Sequence, residues 1–185
     1  MQKGKLIVIS APSGCGKTTI VGRLLERNKH LKRSISYTTR PPRPGEVKGR
    51  DYFFVSKEDF ISKEKAGFFL ESAQVFGHLY GTSRAFVKDS ISHGTDVVLA
   101  IDVQGMKQLK EKKTKDVPMI SVFIMPPSVE DLKNRLEKRK TEEKSEIEER
   151  LRIAKLEMKE KDLYNFVVVN RTVDQAVKEI EEIIK

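Results

Sequence analysis

The chain has 185 residues, of which 38% are hydrophobic and 34% charged, with a formal net charge of +9. That length suits one compact domain with modest appendages, and the recurring apolar runs exclude a disordered chain. The single cysteine, Cys15, excludes an intramolecular disulfide and points to a reducing, cytoplasmic setting, while the apolar run "LIVI" is too short for a signal peptide or a membrane span.

In chain order the pattern alternates strand and helix. "KLIVIS" (5–10) reads as a buried strand, and "TTIVGRLLERN" (18–28) as a helix with Ile20, Leu24 and Leu25 on one face. "SISYTT" (34–39) reads as a strand. Three prolines and two glycines make "RPPRPGEVKGRD" (40–51) a loop. "SKEDFISKEKAG" (56–67) reads as a helix capped by Ser56, with Asp59 three residues on and Gly67 at its end. "FFLESAQVF" (68–76) is a strand followed by a turn at Gly77 and His78, and "SRAFVKDSISHG" (83–94) is a helix. "DVVLAID" (96–102) and "MISVFIM" (119–125) are strands on either side of the helix "VQGMKQLKEKK" (103–113). Two charged helical stretches, 128–138 and 146–161, precede a last strand, "FVVVN" (166–170), and a last helix, "DQAVKEIEEII" (174–184). In the second of those stretches the stripe Ile147, Leu151, Ala154 and Met158 reads as core packing. Apolar strands alternating with helices predict an α/β fold with a parallel sheet covered on both faces. The more polar stretch 35–82 reads as an insertion on one edge.

The charge is unevenly spread. Residues 1–50 hold 12 Lys and Arg against Glu26 and Glu46, a net of +10, so the remainder is nearly neutral at −1. Such an excess fits nucleic acid, small polyphosphates, or a solvated surface with no partner. The stretch "SAPSGCGKTT" (10–19) favours polyphosphate. Between a strand and a helix it delivers backbone N–H groups to a helix N-terminus, where the dipole favours an anion. Gly14 and Gly16 have no Cβ to hold phosphate oxygens away, Lys17 adds a point charge, and Thr18 offers a hydroxyl to magnesium. The pattern is that of the phosphate-binding loop, with Ala11 at the position of its first glycine. Cys15 sits in the loop, where the dipole and Lys17 favour thiolate, so a thiol pKa below the ordinary value is expected if the thiol faces solvent; an inert small residue whose side chain points into the domain is the alternative.

In the proline-braced loop, Arg40 and Arg43 are two guanidinium forks able to grip one phosphate, with Tyr52 as a further donor; a solvated basic loop is the alternative. Glu71 would be costly to bury unpaired, and a carboxylate there can accept two hydrogen bonds from a guanine edge; an exposed strand glutamate is the alternative.

Six segments, "SAPSGCGKTT", "SISYTTRPPRPGEVKGRDYFFV", "FLESAQVFGHLYGTS", "IDVQG", "PPSVEDLKNRLEKR" and "VVVN", together resemble the guanylate kinase family in order and spacing over essentially the whole chain. The resemblance implies a P-loop nucleoside monophosphate kinase fold. It divides the chain into a core (1–34, 97–125, 158–185), a GMP-binding region (35–96) and a mobile lid (126–157). It implies transfer of the γ-phosphate of ATP to GMP, and to dGMP, with Mg²⁺ and without nucleic acid or membrane. ATP would be held by Ala11, Pro12, Ser13, Gly14, Cys15, Gly16, Lys17, Thr18, Arg135, Arg139 and Asn170, with Arg150 also reaching the transferring group. Arg40, Arg43, Tyr52 and Tyr80 would hold the GMP phosphate. Glu71 and Ser36 would read guanine, with Thr82 and Asp102 in support. Lys17, Arg40, Arg135, Arg139 and Arg150 would carry catalysis.

The chain departs from the family pattern at Ala100, where an aspartate is common, at Lys140, where a glycine is common after Arg139, and at Leu79, often a tyrosine. Three other readings remain: a kinase of another nucleoside monophosphate, a non-catalytic binding module of the same fold, and a nucleic-acid binder. Lys17 and Thr18 argue against the second, and the lack of an interleaved aromatic platform against the third.

Overall fold

The computed structural model describes residues 3–112, 117–137 and 144–185. In chain order the elements are β1 (Leu6–Ser10), α1 (Lys17–Arg27), β2 (Leu31–Arg33), β3 (Tyr37–Thr38), β4 (Phe53–Phe54), α2 (Lys57–Lys65), β5 (Phe69–Val75), β6 (His78–Ser83), α3 (Arg84–Ser92), β7 (Asp96–Ala100), α4 (Val103–Glu111), β8 (Met119–Met125), α5 (Val129–Glu137), α6 (Lys144–Met158), β9 (Phe166–Val169) and α7 (Val173–Ile184), with a 3-10 turn at Lys161–Leu163. They fall into two compact units, one of residues 7–29, 100–103 and 119–185, the other of residues 1–6, 30–99 and 104–118.

In the first unit, β1, β8 and β9 follow one another across the sheet. β8 and β9 are parallel, with Val122 opposite Phe166 and Met125 opposite Val169. A parallel pair needs a long crossover, which α5 and α6 supply. Ile7, Val8, Ile9, Val122, Phe123 and Ile124 are all buried, as unbroken apolar runs in a covered sheet require, whereas the edge strand β9 buries Val168 and leaves Phe166 and Val167 exposed. α1 buries Ile20, Val21 and Leu24, and α7 buries Ala176, Val177, Ile180 and Ile184. These faces meet, and Asn28 Nδ2 donates to Glu181 Oε1 at 2.8 Å. Each buried Leu or Ile contributes about 1.5–3 kcal/mol. The expected α1 face is shifted: Leu25 is only half-buried, and Val21 takes its place. On α6 the expected core stripe holds only in part: Ala154 is buried, while Ile147, Leu151 and Met158 are half-buried.

In the second unit, β2 pairs parallel with β7, Leu31 opposite Asp96. A separate four-stranded sheet runs β4-β3-β6-β5. β5 and β6 form a hairpin around Phe76 and Gly77, with φ of 47° and 80°. Two positive φ values in a two-residue loop match the right-handed twist of the flanking strands. Ser56 caps α2 as its sequence predicts, its Oγ accepting from Asp59 N–H at 3.1 Å. Phe60 of α2 is buried and stacks on Phe69, the centroids 4.4 Å apart. Several expectations change here. The strand over 34–39 shrinks to Tyr37–Thr38, β2, β4 and β6 form where no strand was foreseen, and His78, expected in the turn, opens β6; "LKR" and "FF" are too short to show a period.

Candidate functional site

The first unit holds the phosphate loop. β1 stops at Ser10, residues 11–16 turn, and α1 begins at Lys17 with Gly16 as N-cap at φ 84°. That cap has no side chain and the first turn carries no acidic residue, so the helix end keeps its positive character. The glycines have a further reason beyond clearance for phosphate. A Cβ on Gly14, at φ 89°, would lie 2.8 Å from Leu136 Cδ2 and 3.1 Å from Leu132 Cδ1. A Cβ on Gly16 would lie 2.9 Å from Asn170 Nδ2. Both positions demand a left-handed backbone and closely approaching neighbours.

Asn170 braces the loop. It is 2% exposed, and its Nδ2 donates to the Cys15 carbonyl at 2.8 Å. Its own amide donates to Met125 O at 2.8 Å, and its carbonyl accepts from Arg135 at 2.9 Å. Lys17 Nζ donates to Ile101 O at 2.8 Å. From α6, Arg150 reaches Ser13 Oγ at 3.4 Å. Glu157, on the same helix, accepts from the Ser13 N–H; burial pushes its carboxyl up to about 7, against the pull of Lys17 and with the help of Asp102. Thr18 is exposed at the start of α1.

Of the two readings of Cys15, the structure favours the inert thiol that points into the domain over the reactive thiolate. It is fully buried, and burial pushes its thiol up to about 12; Arg135 and Lys17 favour thiolate, but by less, and Glu157 opposes them. Desolvation outweighs the dipole. A small alkylating reagent at pH 8 is therefore expected to leave Cys15 unmodified in the folded protein, with or without ATP, and to modify it fully in denaturant. Mass spectrometry reads this, and rapid labelling of the native protein would contradict it.

The second unit gathers the loop and hairpin residues. Arg40 is buried, its guanidinium donating to Glu46 Oε1 and Oε2 at 2.7 and 2.8 Å and to Pro41 O at 2.8 Å. It lies 5.4 Å from the Tyr52 ring centroid, and Tyr52 and Tyr80 meet edge-on at 6.0 Å. Burial works against the Arg40 charge, but hydrogen bonds to Glu46 and Tyr80 more than offset it and raise its pKa. Glu46 is held below the ordinary carboxylate range: burial opposes this, while the Arg43 amide, at 2.8 Å, and Arg40 outweigh it. Burial raises the Tyr52 phenol. Arg43 itself is exposed, so one fork of the expected pair is fixed and the other lies in solvent.

Glu71 is 3% exposed, which removes the exposed-strand alternative. It sits opposite Thr82 across the β5–β6 ladder, beside a register shift between Phe69 and Glu71. Thr82 is also fully buried, and its Oγ1 has no hydrogen-bond partner among the described residues. Tyr80 and Ser36 are half-buried, the Ser36 carbonyl accepting from Phe53 N–H at 2.9 Å. Ser36, Arg40, Arg43, Tyr52, Glu71, Tyr80 and Thr82 thus share one unit. Ala11 through Thr18, Asp102, Arg135, Arg150 and Asn170 share the other. Arg139 and Lys140 lie outside the described residues. Sequence reasoning gave no role to Glu46 or Glu157. For Glu157 the available signal is its place seven residues after Arg150, on the same helix face.

Among the described residues no helix is long and apolar enough to cross a membrane. A family model described as Guanylate kinase matches residues 3–185. The guanylate kinase of Wolbachia sp. subsp. Brugia malayi is 50% identical over 99% of this chain and 93% of its own length. That of Caldanaerobacter subterraneus subsp. tengcongensis is 49% identical over 99% of this chain and 87% of its own. Among solved structures, guanylate kinase from Anaplasma phagocytophilum superposes with a TM-score of 0.82 at 33% identity, covering 100% of this chain and 86% of that one. The parallel strands, the phosphate loop and full-length matches of this strength agree: the chain has the α/β P-loop kinase fold and belongs to the guanylate kinase family.

Proposed function

We propose that this chain transfers the γ-phosphate of ATP to GMP, and to dGMP, giving ADP and the nucleoside diphosphate. The observation that carries the choice of acceptor is the buried Glu71–Thr82 pair. A carboxylate accepting from adjacent N–H donors suits guanine, whose N1–H and amino group stand side by side; adenine has no such edge. Ser36 and Asp102 support that reading of the base. Arg40, Arg43, Tyr52 and Tyr80 hold the acceptor phosphate. Glu46 fixes the plane of the Arg40 guanidinium, and the acceptor phosphate, a stronger anion, competes for the same fork.

On the donor side, the amides of residues 11–18 cradle the phosphates, and Lys17 leaves Ile101 O to meet them. Asn170 keeps the loop in shape from behind, and Arg135, Arg139 and Arg150 supply further charge. The exposed Thr18 hydroxyl at the helix start suits Mg²⁺, which takes most of its ligands from phosphate oxygens and water. Bound there, the ion would neutralise charge on the β- and γ-phosphates. No nucleophilic side chain is needed, because a GMP phosphate oxygen attacks directly. We assign the core to 1–34, 97–125 and 158–185, the acceptor region to 35–96 and the lid to 126–157, in a cytoplasmic enzyme.

A coupled ADP-release assay across GMP, dGMP, AMP, UMP and CMP tests this. Turnover is expected with GMP and dGMP only, and comparable turnover of AMP would refute it. In the same assay, Arg40→Lys should raise the KM for GMP by about 10- to 100-fold, since the ammonium cannot reproduce the fork, and leave the KM for ATP unchanged. A fully active Lys variant would show that fork geometry is not needed.

A further inference from the structure

β5 is the edge strand of its sheet and pairs with β6 on one side only. Its other edge is met by side chains of α4, in the same unit. Gln104 Nε2 donates to Gln74 O at 3.0 Å, and Lys112 Nζ donates to Leu70 O at 3.0 Å. Between them Gln108 takes both main-chain groups of Ser72: its Oε1 accepts from Ser72 N–H at 3.1 Å, and its Nε2 donates to Ser72 O. The Ser72 side chain is held as well, its Oγ donating to Glu64 Oε1 of α2 at 2.6 Å. The match has a simple cause. Four residues of helix rise about 6 Å and two residues of strand about 6.8 Å, so positions 104, 108 and 112 of one helix face meet 74, 72 and 70 of one strand edge. A carboxamide offers a donor and an acceptor together, as a neighbouring strand would.

The cover falls around Glu71. Phe69 lies opposite Ser83 and Glu71 opposite Thr82, so Leu70 is an extra residue with no cross-strand partner. Such a bulge re-aims the side chain beside it, and a slip of one residue would turn Glu71 to the other face of the sheet. The two residues that flank Glu71 are the two whose main chain Lys112 and Gln108 hold. We propose that Gln108, seconded by Lys112, is a positioning residue for recognition of the acceptor base: it fixes the bulge and register that aim the Glu71 carboxylate. The inference rests on Glu71 reading guanine. Gln108 acts through the β5 backbone rather than on the base, so its loss blurs the choice of base more than it slows phosphoryl transfer.

The test is steady-state ADP release by the whole protein with GMP and with AMP, together with amide exchange read by NMR. Gln108→Met keeps side-chain length and helix propensity but removes the donor and the acceptor. It should raise the KM for GMP about 5- to 20-fold and lower the GMP-over-AMP ratio of kcat/KM by a similar factor, with the KM for ATP and kcat within about twofold of wild type. The Ser72 amide should exchange about tenfold faster or more. Lys112→Met should act in the same direction, and it carries the test if Gln108→Met does not fold. Gln104→Met, whose bond lies three residues from Glu71, should keep the wild-type ratio. A lower melting temperature with both KM values and kcat shifting together, and the base ratio unchanged, would show a merely structural role and overturn the proposal. A double-mutant cycle with Glu71→Gln separates the two readings. In the Glu71→Gln background, Gln108→Met should change kcat/KM for GMP by less than about twofold. Losses that simply multiply would overturn this inference and leave Glu71 in place. A Glu71→Gln variant with wild-type discrimination would remove the base reading first, and this inference with it.

Discussion

Glu71→Gln is expected to lower kcat/KM for GMP by about 10²- to 10⁴-fold and to erase most discrimination against AMP. Two charge-assisted hydrogen bonds are at stake, each worth roughly 1.5–3 kcal/mol. Glutamine has nearly the same shape, so β5 should keep its ladder with β6 and the protein should fold. Its amide, however, offers one acceptor and one donor where guanine presents two donors. One bond is lost and an N–H is set against an N–H in a buried place. Adenine gains from the same change, since an amide can both donate and accept. Sites built on such bonds reject the wrong partner by about 10⁴-fold or more. Initial rates of ADP release with GMP and AMP measure the effect. A Gln variant with wild-type kcat/KM for GMP would remove Glu71 from base recognition.

Lys17→Met should reduce kcat by about 10³-fold, with a native circular-dichroism spectrum and a melting temperature close to wild type. Lys17 is half-buried and its ammonium donates to the Ile101 carbonyl, so methionine fills the same path without the charge. Removing one preorganised cation or donor from a developing charge typically costs about 10²- to 10³-fold, and for phosphoryl transfer a single cation can be worth about 10³-fold or more. Single-turnover measurement at saturating ATP and GMP isolates the chemical step. A loss of less than tenfold would mean that the loop binds phosphate without acting on its transfer.

Much of this was legible because it is local. "KLIVIS" and "MISVFIM" declare buried strands through unbroken apolar runs, whereas "FVVV" declares a strand but not its exposure at the sheet edge, and Ser56 with Asp59 declares a helix start. The phosphate loop is legible for the same reason: its glycines, lysine and threonine are consecutive. What failed was burial and distance. For Cys15 the sequence leaves a thiolate and an inert thiol both open, because the dipole is visible in sequence, whereas the enclosure that outweighs it is built by residues far along the chain. Glu46 in a basic, proline-rich loop reads as a solvated charge, and only the fold shows that it holds both the Arg40 fork and the Arg43 amide. Glu157 stands among the polar residues of a charged helix, and only its place on the Arg150 face marks it as a residue that turns inward. Glu71 was the intermediate case: its chemistry suggested a base partner, but its burial needed the β5–β6 ladder to be seen.

The Asn170–Cys15 hydrogen bond spans 155 residues of chain. On a ribosome adding about 5–20 residues per second, roughly 8 to 30 seconds separate the synthesis of the loop from that of the side chain that braces it. The glycine-rich segment is made early but is held in shape late. A nascent chain that has not reached Asn170 carries every residue of the loop motif without the strut behind Cys15, so it should draw little on the cell's ATP. Nucleotide binding then reports completion: only a chain that has delivered β9 and the residue after it gains the added stability that ligand provides.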